Sequence, residues 1–85
     1  MFAILGNLFS KKQNKSLCAY GISGKENHDE FMALCDHFEL TEMRIMSHFE
    51  VKGVPHWNIW VSMPDAVRDR FNFVVREKRI AKVLS

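Results

Sequence analysis

The stretch Met43-Arg44-Ile45-Met46-Ser47-His48-Phe49-Glu50-Val51-Lys52-Gly53-Val54-Pro55-His56-Trp57-Asn58-Ile59-Trp60-Val61-Ser62-Met63 alternates apolar and polar residues on either side of a short turn sequence. Successive side chains of a β-strand point to opposite faces, so this alternation predicts two half-buried strands, residues 43–51 and 56–63. In the first, Met43, Ile45, Phe49 and Val51 share the odd-numbered face, with Ser47 as the exception, while Arg44, His48 and Glu50 take the other. In the second, Trp57, Ile59, Val61 and Met63 share the odd face, and His56, Asn58, Trp60 and Ser62 the even one. Residues opposed in an antiparallel pair lie on one face, so odd must meet odd. A loop of Lys52, Gly53 and Val54 meets that condition, with Gly53 taking positive φ at little cost. It sets Phe49 against Trp57, Met46 against Trp60 and Glu50 against His56. A shift of two residues keeps the same parity.

Met46 and Trp60 break the pattern, because both are apolar on the face that is otherwise polar. Large apolar patches are seldom left bare, so one reading has the N-terminal segment or a second copy of the chain covering the pair. The other makes the pair a recognition surface. Trp and Met are enriched at protein contacts, and an aromatic ring on an open sheet also stacks on nucleic-acid bases.

Upstream, residues 17–23 read as a central strand, with Cys18, Tyr20 and Ile22 on one face and the apolar or small Leu17, Ala19 and Gly21 on the other. Gly24 ends it. Asn27-His28-Asp29-Glu30 is a helix start in which Asn27 caps the free amides and Glu30 reaches back. The following helix presents Phe31, Leu34, Cys35 and Phe38 at i, i+3, i+4, i+7 spacing, leaving Asp29, Asp36 and Glu39 outside. Downstream, Ser62 or Met63 caps a second helix opened by Pro64-Asp65, with Val67, Phe71, Val74 and Val75 as its core stripe and Phe73 and Ile80 off it. Arg76, Lys78, Arg79 and Lys82 gather at its C-terminal end, where the helix dipole favours cations. No Gly or Pro breaks residues 80–84, so they are expected to continue the helix, with an edge strand as the alternative.

A chain of 85 residues, 47% apolar, makes one small domain able to fold without staples. Residues 1–15 read as an apolar and basic N-terminal segment with a linker, and residues 16–85 as a single α+β domain. Within 1–9, Phe2, Leu5 and Phe9 share a helical face, and Lys11, Lys12 and Lys15 follow. Such a segment either packs on its own sheet or contacts a membrane surface peripherally. Gly6-Asn7 also permits a hairpin turn. The charges follow the apolar run, unlike a secretory signal, and no run is long enough to span a bilayer. Cys18 and Cys35 occupy core-facing positions without metal-type spacing, as reduced thiols of a cytoplasmic protein do.

Charge is segregated. Residues 1–25 carry four lysines and no acid, 26–50 carry seven acids against Arg44 alone, and 64–85 carry six bases against three acids. A dipolar chain of this kind can steer a charged partner or a second copy.

The order strand, helix, strand, strand, helix, with a last strand optional, is βαββα(β). It predicts a two-layer α+β sandwich of the ferredoxin-like, split βαβ type: an antiparallel sheet with both helices on one face and the other face open. In element order the chain resembles the small ligand-sensing ACT domains. The glycine that those domains place where the first strand meets the first helix is replaced by Lys25-Glu26-Asn27-His28-Asp29, so the resemblance implies topology and not amino-acid binding.

No constellation points to catalysis. Among His28, His37, His48 and His56 there is no HxxxH pair, and only His48, His56 and Glu50 are expected to cluster. The two thiols lie in apolar surroundings that do not activate them, and no serine sits in an elbow-type turn. Gly21-Ile22-Ser23-Gly24-Lys25 lacks the first glycine and the hydroxyl residue of a phosphate loop. No enzyme activity, cofactor, metal site or small-molecule substrate is inferred. The expectation is a small protein-interaction module, accessory, regulatory or inhibitory, which binds a protein partner or itself through the open face. Arg44, Met46, His48, Asn58 and Trp60 are its contact residues there, and Arg76 and Arg79 on the basic helix orient the partner. The alternatives are nucleic-acid binding through the basic arm, the C-terminal helix and Trp60, and membrane association through residues 1–9.

Overall fold

The computed structural model describes residues 15–84, so the reading of residues 1–9 lies outside the described residues. Six elements follow one another: β1 (Lys15–Ser23), α1 (Lys25–His37), β2 (Met43–Val51), β3 (Val54–Pro64), α2 (Asp65–Lys78) and β4 (Lys82–Val83). The four strands form one antiparallel sheet in the order β2-β3-β1-β4, so each helical crossover passes over a neighbouring strand. The helices cover β1 and β3 from one side and make the second layer of an α+β sandwich.

The core lies between these layers. From β1 come Cys18, Tyr20 and Ile22, and from β3 Ile59, Val61 and Met63, all buried, as the alternation requires. From the helices come Phe31, Leu34, Cys35, Phe71 and Val75. Tyr20, Phe31 and Phe71 meet with ring centroids 5.0–5.8 Å apart in tilted and edge-on arrangements, which aromatic quadrupoles favour. The Tyr20 hydroxyl donates to Asn72 Oδ1 at 2.5 Å, and this contact satisfies the one buried polar residue of α2. Burial first, and the neighbouring Cys18 next, push the phenol above its ordinary pKa, so it remains a neutral donor.

Both helix starts differ from expectation. α1 begins at Lys25 after Gly24, whose φ of 92° suits glycine and whose N–H donates to Pro55 O at 2.9 Å. Asn27 therefore lies inside the first turn, and its Nδ2 donates to Ser23 O instead of capping. α2 begins after Pro64, which is still part of β3.

The end of α2 differs more. Arg79 adopts the left-handed conformation, φ 55° and ψ 38°, and stops the helix without a glycine. The reversal drives Ile80 into the core and lets Lys82 and Val83 pair with Gly21 and Tyr20. Residues 80–84 thus form the edge-strand alternative and not a continued helix.

The largest correction concerns the hairpin. Met43, Arg44 and Ile45 oppose Val61, Trp60 and Ile59, but Ser47 opposes Asn58, so Met46 is an extra residue without a partner in the ladder. Past this bulge, His48 opposes Trp57, Phe49 opposes His56, and Val51 opposes Val54. The loop is Lys52-Gly53 alone, with φ values of 51° and 82°, the paired positive values of a type I′ turn. The odd-with-odd rule fails because the bulge consumes one residue. Phe49 and Val51, expected in the core, turn to the open face and are half exposed, while His48 turns to the helix side.

Two outcomes check this account of the hairpin. Deleting Met46 leaves every other pairing intact and is expected to cost no more than about 1 kcal/mol in chemical unfolding. Lys52→Asn supplies a residue better suited to positive φ and is expected to stabilise by roughly 0.5–1 kcal/mol, raising Tm by about 2–8 °C.

Candidate interaction surface

The open face is built in rows across the sheet. The row of Arg44, Trp60 and Ala19 lies beside the row of Ser47, Asn58, Gly21 and Lys82, and beyond that come Phe49, His56 and Ser23. Leu17 stands on this face opposite Ser62, and Leu84, just past β4, lies over Gly21. Six apolar side chains are left substantially in water: Leu17 at 59%, Phe49 at 53%, Val51 and Leu84 at 47%, Val54 at 43% and Trp60 at 36% relative exposure. One apolar side chain on a surface is ordinary; six on one sheet face make a patch.

Two depressions mark this face. One, of about 420 Å³, has Leu17, Arg44, Trp60 and Ser62 in its lining. Glu42, also in its lining, accepts from Lys15 Nζ at 2.8 Å, and this hydrogen bond and charge hold the Glu42 carboxyl below its usual pKa. The other, of about 250 Å³, runs past Ser47, Asn58 and Gly21 between Phe49, His56 and Leu84. The rings of Phe49 and His56 stack at 5.3 Å with planes 13° apart, and Ser23 Oγ fixes His56 through Nδ1 at 2.8 Å. Asn58 Oδ1 has no hydrogen-bond partner among the described residues.

Of the residues singled out in the sequence, Arg44, Asn58 and Trp60 come together on the open face, and Met46 is exposed at the bulge beside them. His48 does not join them. Its ring stacks on Trp57 at 4.7 Å on the helix side, where His28 of α1 stacks on the same indole at 4.2 Å. These imidazoles carry packing from the helical layer toward β2, which the helices themselves do not cover. His48 and His56 therefore lie on opposite faces, and the expected cluster with Glu50 does not form. No group of three potential metal ligands occurs among the described residues.

Arg76 and Arg79 are not on the open face either. With Lys82 they line a concavity of about 530 Å³ at the β4 edge, which also includes Gly21 and Ser23.

Leu17, Phe49 and Leu84 are surface residues that the sequence reading did not single out as contacts. Leu17 had a signal, its place on the non-core face of β1. Phe49 had an indirect one: apolar Met46 on the polar parity followed by polar Ser47 on the apolar parity is what a one-residue insertion produces. No helix among the described residues is long and apolar enough to cross a membrane. The sequence matches no protein-family model and no curated protein.

Cys18 and Cys35 are both free and buried, and burial pushes the Cys35 thiol up to about 12. In alkylation at pH 8 both thiols are expected to react at least about a hundredfold more slowly in the native protein than in denaturant, since attack must await opening. Rapid native labelling of either would contradict this burial.

Proposed function

We propose that this chain is a small non-enzymatic interaction module, accessory or regulatory, that binds a protein partner through its open sheet face. The observation that supports it is the outward turn of Phe49 onto the same face as Trp60, Leu17 and Leu84. Burying a side chain such as Phe or Leu is worth roughly 1.5–3 kcal/mol, so those left in water on this face are a reserve of association energy. The bulge in β2 disfavours pairing along the exposed edge strand, which leaves the face as the contact. Arg44 and the Lys15–Glu42 pair supply a polar rim. A reducing, cytoplasmic setting belongs to this reading, in keeping with two unpaired buried thiols.

One observation favours a second reading. The stacked Phe49 and His56 rings, with Trp60 two rows away along β3 and Arg44 beside it, are also a platform for single-stranded nucleic acid. Such binding would fall steeply with added salt, whereas an apolar protein contact would not.

Trp60→Ala is the discriminating change. It is expected to abolish capture of the partner from a native-host extract, or to shift sedimentation from dimer to monomer if the partner is a second copy. Tm should fall by no more than about 8 °C, the equivalent of roughly 1 kcal/mol in a domain of this size. A variant that unfolds, or one that binds undiminished, contradicts the proposal.

A further inference from the structure

The cationic concavity at the β4 edge and the trough beside Phe49 share Gly21, Ser23 and Lys82, so the two depressions adjoin at the β1–β4 edge. On one side stand the Phe49 and His56 rings; on the other, Arg76 and Arg79, with Lys82 common to both. Among the described residues no carboxylate lines either depression, and none of these three cations takes part in an ion pair. Three unneutralised cations at one corner attract negative charge, and the low-dielectric walls of a concavity strengthen that attraction.

Arg79 holds its place at a conformational cost. Its left-handed backbone is one that glycine adopts freely and a residue with a Cβ adopts less readily. An arginine at this position forgoes the stability glycine would give, and it adds a third cation to the concavity.

We propose that the partner presents an acidic peptide segment: its carboxylates are held by Arg76, Arg79 and Lys82 while an adjacent apolar side chain lies in the trough against Phe49, His56 and Leu84. This inference rests on the open-face reading and names the chemistry of its partner. The cations are gathered at one corner, whereas a nucleic-acid backbone needs them along its track. The aliphatic Leu84, which lines the trough with the aromatic pair, suits a side chain better than a base.

The test is a titration of the isotope-labelled full chain, followed by amide shifts, with a hexapeptide alternating glutamate and phenylalanine as the probe. Shifts are expected at Gly21, Ser23, Lys82 and Phe49. They are expected to vanish when glutamine replaces glutamate in the probe. Arg79→Gly, which relieves the left-handed strain and so keeps the fold, should weaken binding by about tenfold. No shift at these amides, equal binding by the glutamine probe, or stronger binding of a ten-nucleotide thymidylate at the same amides would overturn the inference. A native-host partner lost with Trp60→Ala but retained by Arg79→Gly would also overturn it, while leaving the open-face reading intact.

Discussion

A strand that carries one residue more than its partner must turn its side chains over somewhere, and in this chain the turnover falls at Met46. Side chains alternate with a period of two, so one unpaired residue reverses the faces of everything beyond it. Before the bulge, Met43 and Ile45 lie on the helix side with Ile59 and Val61; after it, Phe49 and Val51 lie on the open side with His56 and Val54. The two-residue turn, the stacking of His48 on Trp57 and the aromatic character of the open face all depend on that reversal.

The reversal is tolerated because the domain does not need β2 for its core. Tyr20, Phe31 and Phe71 pack at the centre, with Asn72 joined to the Tyr20 hydroxyl, and the buried residues of β1 and β3 complete the inner layer. β2 is an edge strand with exposed side chains on both faces along most of its length; Met43 at its start packs against the core, and further along the His28, Trp57 and His48 rings link it to the helical layer. A strand so placed is free to serve the surface. The central strands, with one face sealed under the helices, are not.

The parts legible in the sequence were those where burial decides position. The alternation of Cys18, Tyr20 and Ile22, that of Ile59, Val61 and Met63, and the helical spacing of Phe31, Leu34 and Cys35 each place residues in the core as read. The parts not legible were those where backbone conformation competes with pattern. Lys52 and Arg79 both take positive φ, which nothing in their side chains announces, and between them they set the hairpin loop and create β4. At Met46 the pattern did carry a trace, in two adjacent exceptions to alternation, but an exception on an edge strand is equally consistent with a surface residue. The seven expected contact residues divide accordingly. Arg44, Met46, Asn58 and Trp60 gather at the open face and bulge, His48 is carried to the other side, and Arg76 and Arg79 form a corner of their own.

The central claim, that Met46 reverses the outer half of β2, is open to one direct measurement: nuclear Overhauser contacts between side chains across the hairpin. The account predicts cross-peaks from the Phe49 ring to His56 and from the His48 ring to Trp57. Cross-peaks joining Phe49 to Trp57, with none to His56, would place Phe49 on the helix side, remove the aromatic patch from the open face and contradict the account.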